Sequence, residues 1–388
     1  MQTVIFGVVA TAIWGGIHFY IGRRLIDGSR LPRPWNLVAW TVVATHASLS
    51  PLAFFLARRL EPSAFLEVLQ WATYLGMGFF VLLLSLLLAR DAVLLLLWLV
   101  RRLNPSDPAP SDPDRRTMLT SGLNLGIFAA SGIATGIGYR EARARPTVED
   151  RVLEVEGLPA DLDGFRIVQI SDMHVGPTLR RPFVETVVEI VNELDADLIA
   201  VTGDLIDGHV RNLHSELEPL ATMRARHGTY YCTGNHEWYW DANSWKGHAS
   251  NLGMRALANE HHLIRVGSAS LLVGGVDDYS CGRHGGVTDP ALAMRGAPPH
   301  DYSVLLAHQP KSCYEASAAG WRLQVSGHTH GGQFYPWNFF VGLAHPFSAG
   351  WGNWKGTDVY VNRGTGYWGP PLRLGVPSEI TRITLRAA

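Results

Sequence analysis

The pattern of apolar and polar positions divides the chain into two parts. In the first part, long apolar runs recur, and four of them approach the roughly 20 residues that a membrane-spanning helix needs. We predict a transmembrane region over 1–147, with spans at about residues 4–22, 36–57, 69–89 and 118–139. Arg90 and Asp91 interrupt the third run before AVLLLLWLV, which is either a continuation of that helix or a separate interfacial helix.

From about Arg151 onward, short apolar runs alternate with amphipathic stretches. FRIVQISD (165–172) and DLIAVTGD (197–204) are apolar on both faces, which is typical of buried parallel strands. Between them, the apolar positions from Pro182 to Leu194 have helical spacing. Polar residues follow these runs, and the carboxyl ends of parallel strands converge on one edge of a sheet. We therefore predict an α/β domain over 148–388.

Composition and charge support this division. The chain is 47% hydrophobic and only 17% charged, below the roughly 25% of average globular proteins, so some apolar segments should face lipid. Residues 1–147 contain 14 arginines, no lysine and 8 acidic residues, whereas the remainder has 19 basic and 26 acidic residues. A net-acidic second part argues against nucleic acid as a broadly bound partner. The Pro-, Ser- and Asp-rich segment 104–114 is typical of an extended linker.

Arginines flank the predicted spans unevenly. The loop after the first span carries four arginines, the loop after the second carries two, and the segment 101–116 after the third apolar run carries four. Because arginine-rich loops stay in the cytoplasm, four spans would place both termini outside. We thus expect a multi-pass protein of the cytoplasmic (inner) membrane with its C-terminal domain on the outer, periplasmic side. An odd number of crossings would reverse this orientation.

The candidate chemistry lies at five predicted strand ends. Their polar residues are Asp172 and His174; Asp204 and Asp207; Asn235, His236 and Glu237; His308; and His328 and His330. Residues two apart on an extended chain point the same way, and glycines at 203, 234 and 327 are expected to let the chain turn sharply. Carboxylate, imidazole and amide donors suit Mn, Fe or Zn, and the lack of thiolate argues against a structural zinc site. Each motif alone is common, but the ordered set of five is not.

At these residues the sequence resembles the calcineurin-like metallophosphoesterase superfamily, over roughly Gly164 to Leu385. The block GHTHGGQFYPW and the ending NRGTGYWGPPLRLGVPSEITRITL are most similar to its bacterial membrane-bound subgroup. The resemblance implies a four-layer α/β/β/α sandwich with two divalent metal ions at its edge, here joined to a polytopic α-helical membrane segment.

The resemblance also implies a role for each residue. One ion would be bound by Asp172, His174 and His330, and the other by Asn235, His308 and His328, with Asp204 bridging the two. His236 matches the catalytic histidine of the family. Asp207 and Glu237 would orient imidazoles, although an exposed or helix-capping position is the alternative for each. Two such ions can activate a bridging water as hydroxide for in-line attack on phosphorus.

The expected substrate follows from the membrane segment. A membrane anchor favours a lipid-linked or envelope phosphoester, either diester or monoester, with membrane lipid as a partner. Aromatic residues beside the motifs, such as Trp238, Phe334 and Trp337, would stack on substrate, lie in the lipid headgroup layer or simply pack under loops. The alternative function is a catalytically weak membrane sensor or interaction protein that retains the fold.

Two further groups of residues have structural interpretations. Cys281 and Cys313 are compatible with a disulfide in an oxidising compartment, while Cys232 is expected in a strand interior. Arg363 and Arg373 are expected to pair within the fold rather than to bind substrate phosphate.

Overall fold

The chain forms two units. The computed structural model describes residues 2–29, 31–61, 63–103 and 112–388, except for the side chains of 1–6, 58, 113 and 116. Contacts group Met1–Tyr139 with Gly369–Leu372, and Arg140–Trp368 with Arg373–Ala388. Most of the predicted linker, 104–114, lies outside the described residues, and the domain boundary at 147 stays a prediction.

Helices make up the first unit. They are α1 (Gln2–Gly22), α2 (Arg33–Arg59), α3 (Ala64–Leu103) and α4 (Pro113–Ala142), and a π-helical turn, Arg23–Asp27, follows α1. Within the described part of the chain, three segments are long and apolar enough to cross a membrane: Arg33–Ala57, Ala64–Leu103 and Thr117–Ala142. The span predicted at 4–22 falls in α1, where the side chains before Gly7 lie outside the described residues.

Helix α3 runs without a break through Arg90 and Asp91. Its 40 residues correspond to about 60 Å, twice the thickness of a bilayer's hydrocarbon core. Asp91 accepts a hydrogen bond from the Tyr20 hydroxyl at 2.7 Å and pairs with Arg24 at 2.7 Å. Arg90 donates to Asn124 of α4. The run after Arg90 is therefore a continuation of the third helix. The two charged side chains are accommodated there because each has a polar partner in the same unit.

The second unit contains twelve strands and six helices. The strands are β1 (Thr147–Val155), β2 (Arg166–Ile170), β3 (Leu198–Thr202), β4 (Thr229–Cys232), β5 (Met254–Ala256), β6 (Glu260–Val266), β7 (Ala269–Gly275), β8 (Tyr302–Leu306), β9 (Leu323–Ser326), β10 (Gly350–Trp354), β11 (Thr357–Val361) and β12 (Glu379–Ala387). The helices are α5 (Arg181–Asn192), α6 (Val210–Leu217), α7 (Asn235–Trp240), α8 (Ala242–Asn251), α9 (Pro290–Met294) and α10 (Cys313–Ala318).

The strands form two six-stranded sheets. The first has the order β1-β12-β2-β3-β4-β5, and the second has the order β10-β11-β9-β8-β7-β6. Strands β2 to β5 are parallel, as are β11, β9, β8 and β7. Each sheet thus has a parallel centre, and its loops after the strands open at one edge.

Three buried clusters produce the layers. Ile167 and Leu271 lie in a core between the two sheets, and their neighbours Val168 and Leu272 face the opposite way. The outer face of the first sheet packs against α5, α6 and α8, and that of the second packs against α9 and α10. This alternation buries both faces of each sheet, so the predicted α/β/β/α sandwich is confirmed.

The cysteines contribute packing only. Cys232, Cys281 and Cys313 are all buried and free. Burial raises the pKa of the Cys313 thiol to about 11, which keeps it protonated near neutral pH. A disulfide between Cys281 and Cys313 is therefore not part of this structure.

The core between the sheets can be tested with two matched substitutions. Val304→Ala removes buried methyl groups from β8 and should lower the free energy of unfolding by about 2 kcal/mol. Val152→Ala changes a side chain that is 59% exposed on β1 and should cost about 0.5 kcal/mol or less. Urea unfolding of the detergent-solubilised chain measures both values. Equal effects would contradict the assignment of Val304 to the core.

Candidate metal centre

All seven predicted metal-binding residues lie together at strand ends. Asp172 and His174 follow β2, Asp204 follows β3, Asn235 follows β4, His308 follows β8, and His328 and His330 follow β9. All are buried except His328, which is partly buried. Three of these strands belong to the first sheet and two to the second, so the site requires both sheets.

Most of these residues have an unusual backbone conformation. Nine non-glycine residues in the described ranges have positive φ, and five of them, at 48° to 71°, are Asp172, His174, Asp204, His328 and His330. A left-handed residue other than glycine costs roughly 1–2 kcal/mol, and such strain is concentrated at functional sites. The Asp172 N–H donates to Gly203 O and the His174 N–H donates to Asp204 O, both at 3.0 Å. These bonds hold the strained turns in place.

The first donor cluster contains Asp172, His174 and His330. The Nε2 atoms of His174 and His330 are 3.1 Å apart, and His330 Nε2 lies 3.4 Å from Asp172 Oδ1. His174 Nε2 lies 4.0 Å from the same oxygen. One ligand atom from each residue therefore faces a common point.

The second donor cluster contains Asp204, Asn235, His308 and His328. His308 Nε2 lies 3.2 Å from each of three atoms: Asp204 Oδ2, Asn235 Oδ1 and His328 Nδ1. Asp204 Oδ2 is also 3.8 Å from His174 Nε2 of the first cluster. Asp204 is thus positioned between the two clusters.

The donor atoms fit divalent metal ions. Two ligands about 2.1 Å from one ion, at angles of about 90–110°, are about 3.0–3.4 Å apart, which matches the 3.1 and 3.4 Å separations in the first cluster and the 3.2 Å separations in the second. The 4.0 Å separation between His174 Nε2 and Asp172 Oδ1 corresponds to a wider angle. The His308 Nδ1–H donates to Thr202 O at 2.7 Å, so its Nε2 atom is directed into the second cluster. His174 Nδ1 lies 3.2 Å from Asp207 Oδ2, within ion-pair distance. Oxygen and imidazole donors without thiolate suit several divalent ions.

Charge in the site also favours cations. Burial would raise the pKa of Asp204, but the charges of His308 and His236 hold it well below its usual range. Burial, with the charge of His308, lowers the pKa of His328 well below its usual value. Burial, with the charge of Arg373, does the same for the pKa of His330. Ionised carboxylates and neutral imidazoles are the forms that bind metal.

His236 lies beside these clusters and is held by Asp207. His236 Nδ1 hydrogen-bonds to Asp207 Oδ1, and His236 Nε2 lies 3.9 Å from Asp204 Oδ2. Burial lowers the pKa of His236, but the charges of Asp207 and Asp204 outweigh it and raise the pKa to about 9. The carboxyl of Asp207 therefore contacts two imidazoles, those of His174 and His236, as expected for a residue that orients them.

Glu237 contacts backbone N–H groups rather than an imidazole that it would orient. Its carboxylate accepts hydrogen bonds from the backbone N–H groups of Gly234, Asp204 and Leu205, at 2.6–3.0 Å. It thus caps helix α7 and joins the loops after β3 and β4, so the capping alternative is correct. Burial, together with the charge of Asp204, raises the pKa of Glu237 to about 7.

Two motif glycines are required by close packing rather than by a sharp turn. Only Gly203 of the three predicted turn glycines has positive φ, at 81°. A Cβ atom on Gly234 would lie 2.1 Å from Asp204 Oδ1, and one on Gly327 would lie 2.1 Å from Asp172 Oδ2. Larger residues at these positions would therefore displace the metal-facing carboxylates.

The sequence gives little indication of the role of Arg373. Its guanidinium is fully buried, donates to the carbonyl oxygens of His330 and Arg363 and lies 3.1 Å from His330 Nδ1. Arg363 pairs with Glu149 and Glu379. Both arginines therefore bind within the fold, as expected, but Arg373 also supports His330. No sequence pattern marks this contact, because 43 residues separate the two side chains.

A four-layer sandwich with a buried set of carboxylate and imidazole donors at its strand ends is the architecture of a metal-dependent hydrolase. The family model "Calcineurin-like phosphoesterase" matches residues 165–332. Together with the relatives described next, this match shows that the chain belongs to the calcineurin-like metallophosphoesterases and is a metal-dependent phosphoesterase.

The relatives include membrane proteins. The chain is 32% identical to "Transmembrane protein with metallophosphoesterase domain" of Danio rerio over 383 residues, covering 94% of this chain and 84% of that protein. It is 35% identical over 278 residues to an "Uncharacterized metallophosphoesterase" of Helicobacter pylori (strain J99), covering 70% and 73%. The solved structure of Haemophilus influenzae NAD nucleotidase is similar with a TM-score of 0.35 at 16% identity, over 53% of this chain and 51% of that one.

The close packing at Gly234 leads to a paired test. Gly234→Ala places a methyl group against the Asp204 carboxylate and should reduce metal affinity at least about tenfold. Gly247→Ala, on α8, has no atom within 4 Å of the new Cβ and should leave metal affinity unchanged. Metal titration of both folded variants, followed by elemental analysis, compares them. Unchanged affinity in Gly234→Ala would contradict the packing argument.

The Asp207–His236 contact can be tested in metal-free protein. Asp207→Asn removes the charge that contributes most to raising the pKa of His236, so that pKa should fall from about 9. An NMR titration of the His236 ring carbon and nitrogen resonances measures it. A pKa that stays near 9 in the variant would show that Asp207 does not stabilise the imidazolium.

Proposed function

We propose that the protein is a dinuclear-metal phosphoesterase with its site formed by the two donor clusters. The observation that carries this proposal is the position of Asp204 Oδ2, 3.2 Å from His308 of one cluster and 3.8 Å from His174 of the other. A carboxylate in that position is suited to bridge two ions. Mn, Fe and Zn all accept these donors. Divalent ions at such a site supply activation of water and stabilisation of charge on phosphoryl oxygens.

His236 is the proposed proton donor to the leaving oxygen. Asp207 holds the Nδ1 side of its ring, which leaves Nε2 directed toward the clusters. The ring also lies 5.1 Å from the Tyr239 ring and 5.6 Å from the Trp368 ring, measured between centroids. These contacts fix the imidazole plane, and the raised pKa keeps a proton on the ring of the metal-free protein. His236 therefore meets the geometric requirement for a general acid.

The proposed substrate is a lipid-linked or envelope phosphoester, diester or monoester. Three apolar helices support membrane association of the chain, so such substrates are its nearest neighbours. If α1 is the fourth crossing, as predicted for residues 4–22, the arginine-rich first and third loops support a cytoplasmic-membrane protein with its hydrolase domain on the periplasmic side.

The reaction can be measured on bis-p-nitrophenyl phosphate and p-nitrophenyl phosphate with added Mn or with EDTA. Wild-type protein in detergent should turn over at least one of the two esters with Mn, and EDTA should abolish turnover. His236→Ala should lower kcat at least about 100-fold and leave metal content unchanged. Asp204→Asn should lower both turnover and metal content, because it weakens the carboxylate shared by the clusters.

The two variants separate the proposed function from its alternative. Full activity in His236→Ala would exclude His236 as the general acid. Metal binding by the wild-type chain without turnover of either ester would instead favour a catalytically weak sensor or interaction protein. Circular dichroism of each variant verifies that it is folded.

A further inference from the structure

An uncharged stretch follows the last metal-site histidine. Between His330 and Lys355 the chain contains no Asp, Glu, Lys or Arg over 24 residues, although the whole chain is 17% charged. Within it we define the aromatic loop as residues 334–344. It contains two short 3₁₀ turns, Trp337–Phe339 and Val341–Leu343.

Five large side chains of the aromatic loop are exposed to an unusual degree for their size, whereas Phe334 is buried. Phe339 is 71% exposed, Phe340 52% and Leu343 85%, and Tyr335 and Trp337 are also exposed. Large apolar side chains grouped on one surface element of a soluble domain mark an interaction site. Trp and Tyr at the edge of such a group are typical of a protein surface in the lipid headgroup layer.

The base of the aromatic loop is joined to the metal centre. The Thr329 hydroxyl donates to Ser348 O at 2.6 Å, which closes the segment at its two ends. Before the loop, the Gln333 amide makes two 2.9 Å hydrogen bonds with the backbone of Trp368, whose ring lies against His236. After the loop, the His345 ring lies 5.0 Å from the His328 ring. Both ends of the loop therefore adjoin residues of the proposed active site.

A lipid bilayer is the partner that fits this loop. The same chain carries three helices long and apolar enough to cross a membrane, so a bilayer is a constant neighbour of the domain. The absence of charge over 331–354 removes the cost of bringing ionised groups into the headgroup layer. Transfer of the exposed Phe and Leu side chains from water into lipid lowers the free energy, while Trp and Tyr keep their polar atoms at the interface.

We propose that the aromatic loop inserts into the headgroup layer of the bilayer and presents phosphoester groups at the lipid surface to the metal centre. The second half of this statement rests on the proposed phosphoesterase function, whereas the insertion does not. The loop is then a determinant of substrate choice, because it favours phosphoesters held at a membrane surface over those free in water.

Insertion can be measured without any activity. The full chain, with Leu343→Cys labelled by the fluorophore NBD, is reconstituted into phosphatidylcholine–phosphatidylglycerol vesicles; the three natural cysteines are buried. Val287→Cys, at a 61% exposed apolar position elsewhere in the domain, is the matched control. Doxyl-labelled lipids should quench the label at 343 at least threefold more than the label at 287. Equal quenching at both positions would overturn the insertion.

The effect on substrate choice requires a second measurement. Phe339→Ser, Phe340→Ser and Leu343→Ser are combined in one variant, with Val287→Ser as control. The variant should hydrolyse hexadecyl p-nitrophenyl phosphate in vesicles at least tenfold more slowly than wild type, and soluble bis-p-nitrophenyl phosphate within twofold of wild type. Equal losses on both esters, or no loss on either, would overturn the role in substrate choice. A wild-type chain that hydrolyses neither of these diesters nor the monoester p-nitrophenyl phosphate would refute the proposed function, while the quenching result would still stand.

Discussion

The structure of the site depends on the buried carboxylate of Asp204. Its Oδ1 accepts the His236 N–H at 2.8 Å, while its Oδ2 faces His308 and, at a longer distance, His174. Its own N–H donates to Glu237. One side chain therefore connects the loop after β3, the start of α7 and both donor clusters. Because Asp204 is almost fully buried in a left-handed conformation, small movements of its backbone would separate these groups.

Buried charge explains why such a site depends on cations. Asp172 and Glu237 are fully buried, and burial raises the pKa of each, which means that their ionised forms are costly without compensation. His308 supplies part of that compensation in the metal-free protein. Burial would lower the pKa of His308, but the charge of Asp204 outweighs burial and raises the pKa of His308 well above its usual value. Divalent ions held by Asp172 and His308 would take the place of protons on these two groups, so their binding would be coupled to pH.

The two units place their apolar side chains in opposite directions. The helices of the first unit place apolar side chains outward, and its Asp91 is paired with Tyr20 and Arg24. The sandwich places its apolar side chains inward, between and outside its sheets. The aromatic loop is an exception within the sandwich, and its exposed side chains follow the rule of the membrane unit instead.

The amino-acid sequence alone determined the two-part division, the parallel strands and the seven candidate donors, because apolar periodicity and residue chemistry are local properties. It also indicated the family, which the relatives confirm. It left the capping role of Glu237 and the continuity of α3 through Arg90 as alternatives, and it did not reveal the left-handed conformations at Asp172 and His174 or the support of His330 by Arg373. Each of these depends on contacts between residues distant in the chain or on backbone angles held by such contacts. Only the tertiary structure decided them, since hydrogen-bond partners, burial and the resulting pKa shifts arise when the strands and helices pack together.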